Sequence, residues 1–260
     1  MVNKKKLDEL YEKYNSRRFV HPDPLEFLYR YDDPCDREIV GMVASSLAYG
    51  RVVQILKSVS YVLDRMSSHP SIFLKKCTFK SLNNIFSSFK HRFTTGEELS
   101  LLLFNIKGII EQYGSLNECF AKGLSNKNGD DTILQALLEF IRKLGVGTYG
   151  CRNSLIPSPE GRCAYKRLNL FLRWMVRRDN VDPGDWNNIP TSKLIIPLDT
   201  HMHKISLFFK LTERKQADIK TALEVTNAFR KIVFDDPVKY DFALTRLGIH
   251  KEFQENFICS

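Results

Sequence analysis

Apolar residues in this chain recur three and four positions apart, and the alternation of apolar and polar side chains that marks a half-buried strand is almost absent. That period restricts the chain to packed helices, an all-α fold. Leu7, Leu10, Tyr11 and Tyr14 share one helical face, and Asp23-Pro24 reads as an N-cap with proline at the first helical position, so two helices open the chain. From Asp36 to Tyr49 one face carries Ile39, Val40, Val43, Leu47 and Ala48. Gly50 then breaks the helix before another bearing Val52, Ile55, Val59, Val62 and Met66, which predicts a tight helical hairpin around Ala48-Tyr49-Gly50-Arg51. Thr95 to Glu98 and Ser115 to Glu118 match the capping box, in which hydroxyl and carboxylate satisfy each other's backbone N–H groups. Gly114 and Gly145 stand where helices would end, and Asp131 to Leu144 supplies a further helix between them. Thr212 is expected to cap a helix running through Phe229 and Ile232, and Asp236-Pro237 another ending near Leu247.

Residues 145–161 are rich in turn formers and predict the longest irregular segment. In the helix that follows, Leu168, Phe171, Leu172 and Met175 form an apolar stripe, while Arg162, Lys166, Asn169, Arg173 and Arg177 line the other side. A solvated face is the ordinary use of such a row; a track for a polyanion is the other. The excess of 39 basic over 30 acidic residues, a net charge of +9, suits the second use without requiring it. The six cysteines form no C-x-x-C pair, which argues against a zinc ribbon, an iron–sulfur cluster or a disulfide scaffold and leaves no cofactor expected. No apolar run approaches the ~20 residues of a membrane span, and the first residues, Met-Val-Asn-Lys-Lys-Lys, are no signal core, so a cytoplasmic location and no membrane partner are expected.

In Ile195 to Ile205 an apolar segment turns into a helix at Asp199: Pro197 forces Ile196 out of the helical region, and Asp199 can accept from the first free N–H groups of a helix carrying Met202, Ile205 and Phe209. Asp199 as a plain cap, with His201 and His203 as first-turn residues, is sufficient on local grounds. Asp-x-His-x-His also begins metal-dependent amidohydrolases, but that barrel needs a long alternation of strand and helix, and too little chain, patterned as helix, follows His203.

Leu198-Asp199-Thr200-His201-Met202 resembles the helix-hairpin-helix DNA glycosylase superfamily, the endonuclease-III-like base-excision enzymes, whose catalytic aspartate begins a helix in a similar pattern. The resemblance extends over roughly residues 36–66 and 156–250. It implies two helical lobes with a cleft between them, one from the chain ends (1–36 and 199–260) and one from the middle (37–198). Bifunctional members add a lysine nucleophile after the hairpin; Ile156 to Gly161 would be a divergent hairpin loop within 156–166, and Lys166 the matching lysine. The long spacing from Lys166 to Asp199, and Lys166 to Phe171, are most similar to archaeal oxidised-guanine glycosylases. The cysteine cluster of the endonuclease-III branch is missing. As a whole the chain looks like a bacterial family of unknown function distantly related to these enzymes.

The implied function is excision of a damaged base, an oxidised purine among the candidates, from double-stranded DNA, with abasic-site lyase activity. The alternative is a helix-hairpin-helix protein that binds nucleic acid without cutting it. No obligate protein partner follows from either. In the enzymatic reading Lys166 attacks the sugar C1′ and must lose its proton, so burial and cations such as Arg162 and Arg173 would have to lower a pKa that starts near about 10.4. Asp199 would stay ionised to stabilise an oxocarbenium-like sugar. Arg51, Arg162, Arg173, Arg177, His201, His203 and Lys204 are the expected DNA contacts, and Trp174, Trp186, Tyr49 and Phe208 the candidates for stacking on a base turned out of the helix.

Overall fold

The structure is a computed structural model describing residues 3–125, 131–145 and 153–249. The chain divides into two compact units, Met1–His21 with Arg162–Ser260, and Pro22–Gly161. The fold is predominantly helical, and among the described residues no helix is long and apolar enough to cross a membrane.

The middle unit begins with a 3-10 helix, Pro24–Arg30, capped by Asp23, whose side chain accepts from Leu25 N–H at 3.0 Å. Next come α2 (Pro34–Ser46), which follows α1 of the other unit, and α3 (Val52–Arg65), α4 (Pro70–Lys76) and α5 (Phe79–Ile85). A two-stranded hairpin, β1 (Lys90–His91) and β2 (Thr94–Thr95), leads into α6 (Gly96–Tyr113), α7 (Leu116–Ser125) and α8 (Leu134–Leu144). Helix α2 is buried on every side from Glu38 onward, and Ile39, Val40, Met42, Val43 and Ala44 are wholly buried, as suits a central helix. Its buried acids serve the ends of neighbouring helices, whose first N–H groups lack intrahelical partners. Glu38 accepts from Leu116 and Asn117 N–H at the start of α7, and Asp36 accepts from Ser71 N–H at the start of α4. Asn105 on α6 donates to the carbonyl of Leu144, the last residue of α8.

The unit of chain ends holds α1 (Lys4–Tyr14), α9 (Lys166–Val176), α10 (Thr200–Phe208), α11 (Ile219–Arg230) and α12 (Asp241–Ile249). Helix α1 packs on α12, where Asp8 accepts from Lys239 Nζ and Tyr240 OH, both at 2.8 Å. Trp174 and Trp186 are fully buried, and Trp186 meets Phe171 edge-on with ring centroids 5.3 Å apart.

Several expectations are corrected. The end unit starts at Arg162 and not at residue 199, because α9 is tied by ion pairs to the loop after it and to α12; residues 22–36 belong with the middle. No tight hairpin spans 156–166: α8 ends at Leu144 in the middle unit, α9 starts at Lys166 in the other, and Arg162 and Cys163 pair in extended form with Ile219 and Asp218. The rest of the irregular segment, 146–152, lies outside the described residues. Thr212 caps nothing, since α11 starts at Ile219 under Asp218, and Asp236 is drawn to Arg177 while α12 starts at Asp241.

Candidate functional site

Leu194, Ile195, Ile196, Pro197 and Leu198 are all buried, so the run ending at Asp199 is driven through the core of the end unit. Asp199, with a quarter of its side chain exposed, is where that run emerges. Its Oδ1 accepts from Met202 N–H at 2.8 Å and caps α10, and Oδ2 stands 3.8 Å from Lys166 Nζ. Lys166 is the first residue of α9, one third exposed, after Tyr165, which takes the left-handed conformation (φ +48°) and offers no side-chain cap. An amine and a carboxylate from the starts of two helices therefore meet at the edge of one core. The cap and a second role of Asp199 do not compete, since each uses its own oxygen.

Beneath the pair lies a buried cluster of charge. Arg173 and Arg177 are 3% and 4% exposed. Arg173 reaches Asp182 Oδ1 at 3.1 Å and Asp241 Oδ2 at 2.5 Å; Arg177 reaches Asp182, Asp179 Oδ2 at 2.9 Å and Asp236 Oδ2 at 2.8 Å. Tyr11 OH donates to Asp179, bringing α1 into the network. Burial pushes Asp241 up to about 6 against the pull of Arg173, and Asp199 adds to the rise as a nearby negative charge. Asp182 is also raised by burial, whereas Asp179, which accepts from two backbone N–H groups as well as Tyr11, is lowered by Arg177 and those bonds. Gly184, at φ +61°, closes the loop onto α9: a Cβ there would lie 2.4 Å from the Arg177 carbonyl oxygen.

The expected DNA contacts fall into two groups. Arg162, His201 and Lys204 are exposed in the end unit, and Arg51 is exposed in the middle unit. Arg173, Arg177 and His203 are not available: the arginines are held by aspartates, and His203 Nε2 is hydrogen-bonded to the Arg214 carbonyl at 2.8 Å. Arg173, already paired with two carboxylates, is no free cation for tuning Lys166. Asn169 lies on α9 with the expected cation row yet is 1% exposed, its Nδ2 donating to the Ala164 carbonyl. Trp174 and Trp186 are core residues, while Tyr49 is partly and Phe208 well exposed. The Asp-x-His-x-His run is helical with its imidazoles turned apart, and among the described residues no group of three His, Cys, Asp or Glu side chains is placed to hold a metal. Asp182 and Asp241 were missed: an aspartate in a turn or a first helical turn carries no local sign that a distant arginine will need it.

No curated protein and no solved structure matches the chain. A family match runs from residue 23 to residue 250, taking in Lys166, Asp199 and the whole aspartate–arginine cluster but not α1. On that match the chain belongs to the family described as Protein of unknown function (DUF2400).

Proposed function

We propose that this protein is a DNA base-excision glycosylase with abasic-site lyase activity, in which Lys166 is the nucleophile and Asp199 the carboxylate that serves it. The observation that carries the reading is the 3.8 Å approach of Lys166 Nζ to Asp199 Oδ2, at two helix starts where both side chains keep access to solvent. The resemblance around Leu198 to Met202 supplies the reaction class. The neutral amine attacks C1′ as the bond from C1′ to the base breaks, and the departing base takes up a proton. Opening of the sugar ring leaves an imine between Lys166 and C1′, from which the 3′-phosphate is eliminated before water releases the lysine. Asp199 stays ionised: it stabilises the positive charge that develops on the sugar and orients the Lys166 amine, whose proton passes to water before attack. The alternative, nucleic-acid binding without cutting, is disfavoured by the close approach of an amine and a carboxylate, which binding alone does not require.

Borohydride added to the protein with DNA carrying an abasic site should trap a covalent complex, since only an attacking amine gives a reducible imine. Lys166→Ala should abolish trapping while duplex binding persists. Asp199→Asn should slow base removal about a hundred-fold or more, the scale on which one electrostatic group acts in such a step. Full activity in both variants would sink the assignment.

A further inference from the structure

The tip of the β1–β2 hairpin combines features that the structure does not explain by packing. Lys90 pairs with Thr95 and His91 with Thr94, so the turn is Arg92-Phe93. Arg92 has φ +56°, a conformation that two-residue hairpin turns usually give to glycine and that costs an L residue about 1–2 kcal/mol. Phe93 is 65% exposed and lies stacked on Tyr49, with centroids 5.3 Å apart and planes 28° apart. That platform is fixed from below. Tyr49 OH donates to the His91 carbonyl and is hydrogen-bonded to Thr94 Oγ1, which in turn meets Ser154 Oγ at 2.6 Å. The His91 ring is wholly buried, with its nitrogens hydrogen-bonded to Ser58 Oγ at 2.8 Å and the Tyr49 carbonyl at 3.1 Å.

Arg92 precedes Phe93 in the turn, Lys90 opens β1 and Arg51 follows Tyr49 and Gly50; all three are exposed and none is ion-paired among the described residues. Arg92 lies across Gly50, so close that a Cβ there would meet its Cδ at 2.9 Å, and Arg51 is the next residue. Glu98 is turned to Thr95 and Ser154 N–H, leaving Glu97 as the exposed acid of that turn. A single exposed phenylalanine is ordinary. A rigid one, raised on a strained turn among uncompensated cations, matches the requirements of a nucleic-acid strand: a flat face for a base, and positive charge for its phosphates.

We infer that the Arg92-Phe93 turn is a nucleic-acid contact, in which Phe93 stacks on an unpaired base while Arg51, Lys90 and Arg92 take the adjoining phosphates. It rests on DNA being the partner but not on the chemistry of Lys166 and Asp199. The test uses the full chain and a duplex with 2-aminopurine opposite an abasic position. Binding should quench the fluorescence; Phe93→Ala should weaken binding about ten-fold and abolish the quenching, and Phe93→Trp should restore both. Arg92→Gly relaxes the backbone while removing a cation, so it should lower the log–log salt slope of binding by about one without loss of stability. Unchanged affinity and fluorescence in Phe93→Ala, or no binding of DNA by the wild type, would overturn the inference. So would a Phe93→Ala protein that sediments as a monomer where the wild type is a dimer, for the ring would then cover a second copy. Borohydride trapping without stacking removes this contact alone, and stacking without trapping removes the catalytic reading alone.

Discussion

Asp179, Asp182, Asp236 and Asp241 surround the two guanidiniums of Arg173 and Arg177, so a buried cluster with two cations holds four carboxyl groups. Desolvation opposes every charge in it, and the pairs persist because each guanidinium is shared by several oxygens. Removing one partner leaves the others charged in a dry environment. Arg173→Met should therefore destabilise the protein by about 3–5 kcal/mol in urea unfolding, the usual scale for breaking a buried pair. The same variant should leave the salt slope of DNA binding unaltered, in contrast to a phosphate-binding arginine, whose loss lowers the slope by about one. A stable variant with a reduced slope would return Arg173 to the DNA surface.

Helix ends explain both what could be read in this chain and what could not. A cap is a local arrangement within three or four residues, so Asp23, the Thr95–Glu98 box, Gly114 and Asp199 were legible, and all four act as the letters suggest. At α10 the cap separates by substitution: Asp199→Ala should cost about 1 kcal/mol, while Asp199→Asn, which keeps an oxygen for Met202 N–H, should be nearly neutral in thermal unfolding. An Asn variant as unstable as the Ala variant would mean that the approach to Lys166, and not the cap, holds the turn. Thr212 and Asp236 carry equally good cap letters and were misread, because no α-helix starts next to either and both are engaged by side chains outside the three- or four-residue range of a cap. The Thr212 hydroxyl donates to Glu224 and accepts from Arg214 N–H, and Asp236 accepts from Arg177. The charge row on α9 failed for the same reason, since Asp241 stands 68 residues beyond Arg173. The β1–β2 hairpin was invisible because strands of two residues cannot show alternation and its turn holds no glycine. Lys166 and Asp199 were coupled by resemblance; no spacing rule joins two helix starts across a loop and a turn.

The chain carries a net charge of +9, yet its end unit buries the carboxyl groups of Asp182 and Asp241, and these shape how the folded protein responds to pH. Asp8, Asp179 and Asp218 are held below the usual carboxylate range, chiefly by hydrogen bonds and basic neighbours, so the stability they give is present near neutrality and is lost as pH falls through their lowered values. Asp241 has the opposite sign. Its pKa rises from 3.8 to about 6 because burial outweighs Arg173, so the folded state binds the proton more tightly than the unfolded chain does. Its contribution is greatest when it is protonated, below about pH 4, and is lost as pH rises through about 6. Asp182 and Asp236, also raised by burial, act in the same direction. Asp241 Oδ1 is buried with no hydrogen-bond partner among the described residues, a position that gains from a proton. Asp241→Asn keeps the shape and removes the titration. Measured by urea unfolding from about pH 4.5 to 7.5, the stability of the variant relative to the wild type should therefore improve with pH, by a total on the order of 2 kcal/mol. Taking the difference cancels the general repulsion of a basic chain, which both proteins share. A difference that stays flat across that range would place the Asp241 carboxylate with Arg173 as a permanent ion pair, and the excess negative charge of the cluster would then have to be carried by Asp182 or Asp236.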